Sequence, residues 1–287
     1  MASSSNSKTT GNSIYFNGKR FAGETPLITA YNRGFRYGDG LFETIRVVRG
    51  GIKLADLHFE RLLAGMQSLL FEPPFSSPGE LADQILDLCK YNGHAESARV
   101  RLMVFRGDGG INDPGGQAPQ YIIQSESWSP DNIEINKEGL KLGVYPQARK
   151  SCDGLAHIKS NNYLLYSMAS RYARMQGWDD CLVLNTYDRI AESSIANLFY
   201  CKKDIIYTPP LAEGCVAGVM RRWLMDVAPA AGFSIVEKAL TPEALEDADE
   251  VFLTNALRGI KWVGSFLRTH YNCKTARLLY SALSQDL

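Results

Sequence analysis

A chain of 287 residues is long for one hydrophobic core and leaves room for two lobes with a cleft between them. Its 31 basic and 31 acidic side chains cancel, so the surface offers no general attraction to a nucleic-acid backbone, and no long Lys/Arg run supplies a local one. Six scattered cysteines without a C-x-x-C pair argue against a metal knuckle or redox motif, and no stretch reaches the length of a membrane span. The reading is a cytoplasmic protein with reduced thiols whose partners are small molecules or a second copy of itself.

Residues 1–12 are rich in Ser, Thr and Asn and lack the apolar core of a secretory signal, which predicts a disordered tail. In the run from Ile14 to Phe21, Asn17-Gly18 between apolar residues predicts a hairpin, and Leu41 to Val48 reads as a strand turning at Gly50-Gly51 into a second one. Asp56 to Met66 has helical apolar spacing behind an Asp cap, and Ser77 to Tyr91 reads as a second amphipathic helix. Strands follow at Arg99 to Phe105 and Gln120 to Gln124, separated by the Gly-, Asp- and Pro-rich loop Gly107 to Pro119. We place a small N-terminal domain at 13–124, a linker at 125–139 and a larger domain at 140–287. The larger domain offers strands at Leu142 to Tyr145, Asp180 to Asn185, Asn197 to Cys201, Ile205 to Thr208 and Glu250 to Thr254. Helices are expected near Asn162 to Gln176, Val219 to Ala231 and Thr241 to Glu246. The strands lie too close together for a regular βαβ series, so the fold class is mixed α+β.

Two residues stand out chemically. Lys159 follows an apolar turn and has little other charge nearby, a setting that lowers an amine's pKa by desolvation and frees it to attack an aldehyde. Glu192 closes a later strand, where a carboxylate aimed at a pyridine nitrogen would keep that ring protonated and electron-withdrawing. The pair suggests pyridoxal phosphate. The Gly-spaced turn from Gly214 to Gly218 runs into a helix and could present backbone N–H groups to a phosphate, with Arg61 as a fork-shaped cation. His157 could bond near a cofactor or serve structure alone. His58, His94 and His270 are too dispersed to argue for a metal.

Six segments, in order, resemble the signatures of class IV aminotransferases, the fold-type IV pyridoxal phosphate enzymes. They are Arg33 to Glu43, His58 to Leu62, Ile158-Lys159, Glu192 to Phe199, Gly214 to Gly218 and Asp249 to Ala256, and the likeness runs from about Tyr15 to about Val263. The resemblance implies a two-lobed homodimer, with a small N-terminal α/β lobe, a larger mixed C-terminal lobe and the cofactor in the cleft. It also implies that Lys159 is the Schiff-base lysine, that Glu192 partners the pyridine nitrogen and that Arg61 binds phosphate. Ser194, Ile195, Val219, Met220 and Ala256 would complete the cofactor site, while Tyr37, Phe42 and Arg101 would line the substrate pocket, some of them in the partner subunit's site.

Departures from the family pattern bear on the substrate. Met220 and Ala256 stand where relatives often have threonine, which shifts phosphate binding toward backbone groups and Arg61. Tyr163 lies four residues after the lysine, not five as in many branched-chain aminotransferases. The loop after Arg106-Gly107 lacks the Arg-x-His of many D-amino-acid aminotransferases. The expected activity is amino transfer from an amino acid, branched-chain, hydrophobic or D, to a 2-keto acid. The alternatives are 4-amino-4-deoxychorismate lyase, which the segments Ser193 to Phe199, Gly218 to Arg221 and Asn255 to Leu257 also resemble, and a non-catalytic binding module of the same fold.

Overall fold

Asn17 and Gly18 both adopt positive φ, 48° and 77°, the turn geometry that matches the twist of paired strands. They join β1 (Ser13–Phe16) to β2 (Lys19–Ala22) in the expected hairpin. The computed structural model of the protein describes residues 12–112 and 118–283. Apart from Asn12, the expected tail therefore lies outside the described residues, as does part of the loop after Gly107.

A short helix, α1 (Arg33–Tyr37), is capped by Asn32, whose Oδ1 accepts from Phe35 N at 3.1 Å. It leads into β3 (Gly40–Val48). The next hairpin turns one residue earlier than expected, on Arg49 and Gly50 at positive φ, and returns as β4 (Gly51–Ile52). In α2 (Ala55–Ser68) the expected Asp56 cap is not found: Leu54 in the left-handed conformation starts the helix without a side-chain cap. Asp56 sits in the first turn, where its charge favours the helix dipole. Ser77 does cap α3 (Pro78–Tyr91), accepting from Glu80 N at 3.2 Å. β5 (Ser97–Arg106) and β6 (Pro119–Ser127) complete an antiparallel sheet in the order β2-β1-β6-β5-β3-β4. β6 runs three residues past its expected end at Gln124, because Ser125 to Ser127 keep pairing with β5. Leu62 and Met66 of α2 and Leu81, Ile85 and Leu88 of α3 bury against Ile45, Val100, Leu102 and Ile123 of this sheet.

The second sheet has nine strands. They are β7 (Leu140–Lys150), β8 (Asp180–Asn185), β9 (Ile190–Ser193), β10 (Asn197–Lys202), β11 (Ile205–Thr208), β12 (Ile235–Glu237), β13 (Glu250–Asn255), β14 (Gly259–Phe266) and β15 (Thr269–His270). Their order is β12-β11-β10-β13-β14-β7-β8-β9, with β15 paired to β14. One βαβ unit does occur: β7 and β8 run parallel, joined by the crossover helix α4 (Leu164–Met175). α5 (Val219–Val227) stops short of its expected end and tightens into a 3-10 turn over Ala228–Ala231, where Pro229 has no N–H to continue the helix. α6 (Pro242–Glu246) follows, and a terminal helix, α7 (Lys274–Leu283), packs Ala276 and Leu279 against Phe252 and Ile260; neither α7 nor β14 had a signal in the sequence pattern.

Two backbone bonds tie β3 to the segment between β7 and α4 that carries Lys159. Phe42 N donates to Lys159 O at 3.0 Å, and Asn161 N donates to Gly40 O at 2.8 Å. This approach requires glycine at position 40, since a Cβ there would lie 2.6 Å from both Asn161 Nδ2 and Val104 O. No helix among the described residues is long and apolar enough to cross a membrane.

Candidate active site

Pinned in this way by β3, Lys159 holds its Nζ 4.5 Å from the centroid of the Phe42 ring. Among the described residues the amine has no hydrogen bond or ion pair. Burial first, then the neighbouring Arg61 charge, lower its pKa from 10.5 to about 8, against the opposing pull of Glu43 and Glu192. Roughly a tenth of such amines is neutral at pH 7, against roughly one in three thousand for an ordinary lysine.

Glu192 lies at the end of β9, 3% exposed. Its Oε1 accepts from Lys150 Nζ at 2.7 Å, Tyr166 Oη at 2.6 Å and Val216 N at 3.0 Å, while among the described residues Oε2 accepts only from Asn197 Nδ2 at 3.3 Å. Oε2 therefore keeps capacity for a further donor.

Arg61 projects from α2. Its Nε and Nη2 donate to Glu43 Oε1 and Oε2 at 2.8 and 2.5 Å, and Nη1 donates to Ala217 O at 3.0 Å. Two of its five N–H donors remain for a ligand. Glu43 itself is 1% exposed and also meets His58 Nδ1 at 2.6 Å. Burial pushes the Glu43 carboxyl up, but Arg61 and His58 together outweigh it and bring the pKa down from 4.5 to about 2. A carboxylate lowered in the fold adds stability above its unfolded value, so this contribution, about 3 kcal/mol, should fade as pH falls from about 4.5 toward 2. Thermal melts across that range should show wild type losing more stability than Glu43→Gln, which starts less stable; parallel curves would refute the assignment.

Every residue expected to hold the cofactor lines one cavity: Arg61, Lys159, Glu192, Ser194, Ile195, Val219, Met220 and Ala256. Gly218, Val219 and Met220 bring the start of α5 to its wall, where the first N–H groups of a helix have no partner within the helix. Gly218 is needed there, because a Cβ would fall 1.8 Å from Asn197 Oδ1. Thr254, which also lines the cavity, has a buried Oγ1 without a partner among the described residues. A free amine, a carboxylate with one open oxygen, two spare guanidinium N–H groups and an unpartnered hydroxyl fit an aldehyde, a ring nitrogen and a phosphate. A larger cleft of about 520 Å³ between α2 and α5 adjoins this cavity and shares Arg61, Lys159, Gly218 and Val219.

The substrate-pocket residues divide. Phe42 is buried beside Lys159, and the guanidinium carbon of Arg101 lies 4.1 Å from the Phe42 ring centroid. Arg101 is partly buried and makes no hydrogen bond or ion pair among the described residues. Tyr37 does not join them within the chain: it is 37% exposed at the end of α1, against Arg36. His157 lines the larger cleft, and its carbonyl accepts from Ala217 N at 2.9 Å.

Sequence reasoning missed Lys150, Tyr166, Thr44, Thr254 and the Glu43–His58 pair. Glu43 carried a readable signal, a charge inside the apolar run of β3, as did His58 and Arg61, three residues apart on one helix face. Lys150 and Tyr166 carried none, since only the pairing of β7 with β8 and the packing of α4 bring them to Glu192.

Residues 40–266 match the family model for amino-transferase class IV. The chain belongs to the class IV aminotransferase family. It is 31% identical over 250 residues to the aminodeoxychorismate lyase of Bacillus subtilis (strain 168), covering 85% of this chain and 83% of the relative. The structure of a putative 4-amino-4-deoxychorismate lyase from Legionella pneumophila superposes with a TM-score of 0.83 at 30% identity, over 92% of this chain and 97% of that one. Escherichia coli branched-chain amino acid aminotransferase superposes with a TM-score of 0.86 at 25% identity, over 96% and 94%. The two-sheet α+β architecture is that of these fold-type IV enzymes.

Proposed function

We propose that this enzyme binds pyridoxal 5'-phosphate in the cavity of Lys159 and transfers an amino group from an amino acid to a 2-keto acid. The observation that carries this reading is Lys159 itself, a hydrogen-bond-free amine with a depressed pKa facing a cavity that also holds Glu192 and Arg61. Bound there, the cofactor would supply an aldehyde that captures amines and a protonated ring that draws electrons from the amino-bearing carbon. Arg61 and the N–H groups at Ile195, Val219 and Met220 would hold the phosphate, with Ser194 and Ala256 closing the wall, and Glu192 Oε2 would hold the ring nitrogen. Lys159 would take the proton from the amino-bearing carbon and return it at the next step. Arg101, unpaired above Phe42, would anchor a substrate carboxylate.

A second reading is favoured by the names of two relatives: elimination of pyruvate from 4-amino-4-deoxychorismate to give 4-aminobenzoate. Lys159 would remove the same kind of proton there, and Thr44, whose hydroxyl-bearing side chain lines the cavity, would face the departing fragment. Incubating the loaded enzyme with single amino donors, L and D, and with aminodeoxychorismate separates the readings. Stoichiometric pyridoxamine phosphate from an amino acid alone supports amino transfer, whereas 4-aminobenzoate with unchanged cofactor overturns it in favour of elimination. Loaded enzyme that responds to neither would point to a non-catalytic module.

The same reading takes the two sheets as two lobes and the enzyme as a cytoplasmic homodimer, and six free cysteines agree with a reducing compartment. Tyr31 and Phe35 are 69% and 72% exposed, and Ile111 at 64% lies in the loop that bonds back to Tyr31 through Gly109 N. Gly38 packs against Asn162, two residues before the exposed Leu164 that opens α4. A second copy covering this face would place Tyr37 where it could reach a neighbouring site.

A further inference from the structure

We propose that Lys150 is a positioning residue that keeps Glu192 ionised and aimed, and sets how tightly that carboxylate holds the proton of a ring nitrogen. The inference rests on the cofactor reading above but begins from contacts within the chain itself. Lys150 ends β7 at 8% exposure, and its ammonium reaches both Glu192 Oε1 and the Tyr166 hydroxyl. Tyr166 donates onward to the same Oε1 at 2.6 Å; burial and Glu192 raise the phenol pKa, so it stays an O–H donor. Three donors thus converge on one carboxylate oxygen and fix its rotamer, while the other oxygen keeps a single bond of 3.3 Å.

The charge balance follows from this geometry. A carboxylate this buried would otherwise be driven toward its neutral form, and an adjacent ammonium prevents that. A protonated ring nitrogen on Oε2 would be the second cation on one carboxylate. Lys150 therefore opposes ring protonation that Glu192 promotes, and the resident pair places the ring's electron-withdrawing power at an intermediate setting. The other titratable groups that Glu192 influences are Lys159, Tyr163 and Cys215.

Two measurements test this, the first without cofactor. In apo protein, Lys150→Met should lower Tm by about 5 °C at pH 7 and by less than half as much at pH 5, where Glu192 can take up a proton in place of its lost partner. The sign is that of a carboxyl whose folded pKa has risen, its stability present at low pH and lost as pH rises. In the second, protein loaded with ¹⁵N-pyridine-labelled pyridoxal phosphate should keep its ring-nitrogen proton to a pH at least one unit higher in Lys150→Met than in wild type. Lys150→Arg should restore both properties, and Tyr166→Phe should leave the nitrogen titration within half a unit of wild type. An equal loss of Tm at both pH values, or an unmoved nitrogen titration, overturns the proposal. Should Lys150→Met not fold, Lys150→Gln carries the same comparison. Failure of wild type to take up the cofactor would defeat the cofactor reading alone, since the apo melts still judge the Lys150–Glu192 pair.

Discussion

Lys159→Ala should abolish turnover, with a loss of about 10⁴-fold or more, while leaving the fold and much of the cofactor affinity in place. The loss is large because one amine would both capture the cofactor and move the proton at the amino-bearing carbon. The fold should survive because Lys159 is positioned by its backbone: Phe42 N bonds to its carbonyl and, among the described residues, its Nζ has no hydrogen bond to forfeit. Removing a charge that burial disfavours even predicts a small gain in stability below about pH 8, where the wild-type ammonium is desolvated. Wild type treated with pyridoxal phosphate and borohydride should gain one covalent label at residue 159, with a labelling rate that climbs with pH and levels off above about 8. The alanine variant should bind the cofactor reversibly and gain no label. Labelling at another lysine in wild type, or a variant that turns over within tenfold of wild type, would remove Lys159 from the centre of the site.

How much of this was legible beforehand differs by level of structure. Runs of β-forming apolar residues and the turn residues between them located β3, β8, β10 and β11, and Ser77 marked the start of α3, because each signal is local and physical. Asp56 misled for a local reason as well: an acidic residue near a helix start serves the first turn as well as the cap, and Leu54 in a left-handed conformation has no sequence signature. β14 was hidden because Gly264 interrupts its pattern. Gly264 is there for close packing, as a Cβ would meet Gly139 backbone at 2.9 Å. At the site, Lys159 was visible because a charged group in an apolar setting is costly and so conspicuous, while Glu192 at a strand end and Arg61 on a helix gained meaning only in combination with it and with the family motifs. Lys150 and Tyr166 are equally buried, yet they lie 42 and 26 residues from Glu192, and only strand register, for Lys150, and the packing of α4, for Tyr166, join them to it. Tyr37 shows the converse, a residue chosen by motif whose surroundings within one chain offer it no place in the cavity.

Glu192→Gln isolates the electronic part of the mechanism from binding. The amide oxygen in the place of Oε1 can still accept from Val216 N, and only the long 3.3 Å bond from Asn197 Nδ2, a donor that would then face the amide NH2, is given up, so the cavity walls should hold and the cofactor should still be captured by Lys159. What the amide lacks is the negative charge that would hold a proton on the ring nitrogen, and turnover should fall by about 10³-fold. The fall should appear in kcat with little change in KM, since the substrate carboxylate would rest on Arg101 above Phe42 and not on Glu192. The variant also strands the buried Lys150 ammonium, whose pKa must then drop. A buried base with a lowered folded pKa destabilises while it is charged, so apo Glu192→Gln should regain stability as pH rises through that value, opposite in sign to Lys150→Met. Restoring neutrality with the double variant Lys150→Met/Glu192→Gln should recover stability without recovering turnover, because packing can be balanced by two neutral groups but proton retention on the ring cannot. Turnover returning in the double variant would mean that Glu192 serves only to pair Lys150, and the electronic role would have to be given to another residue of the cavity.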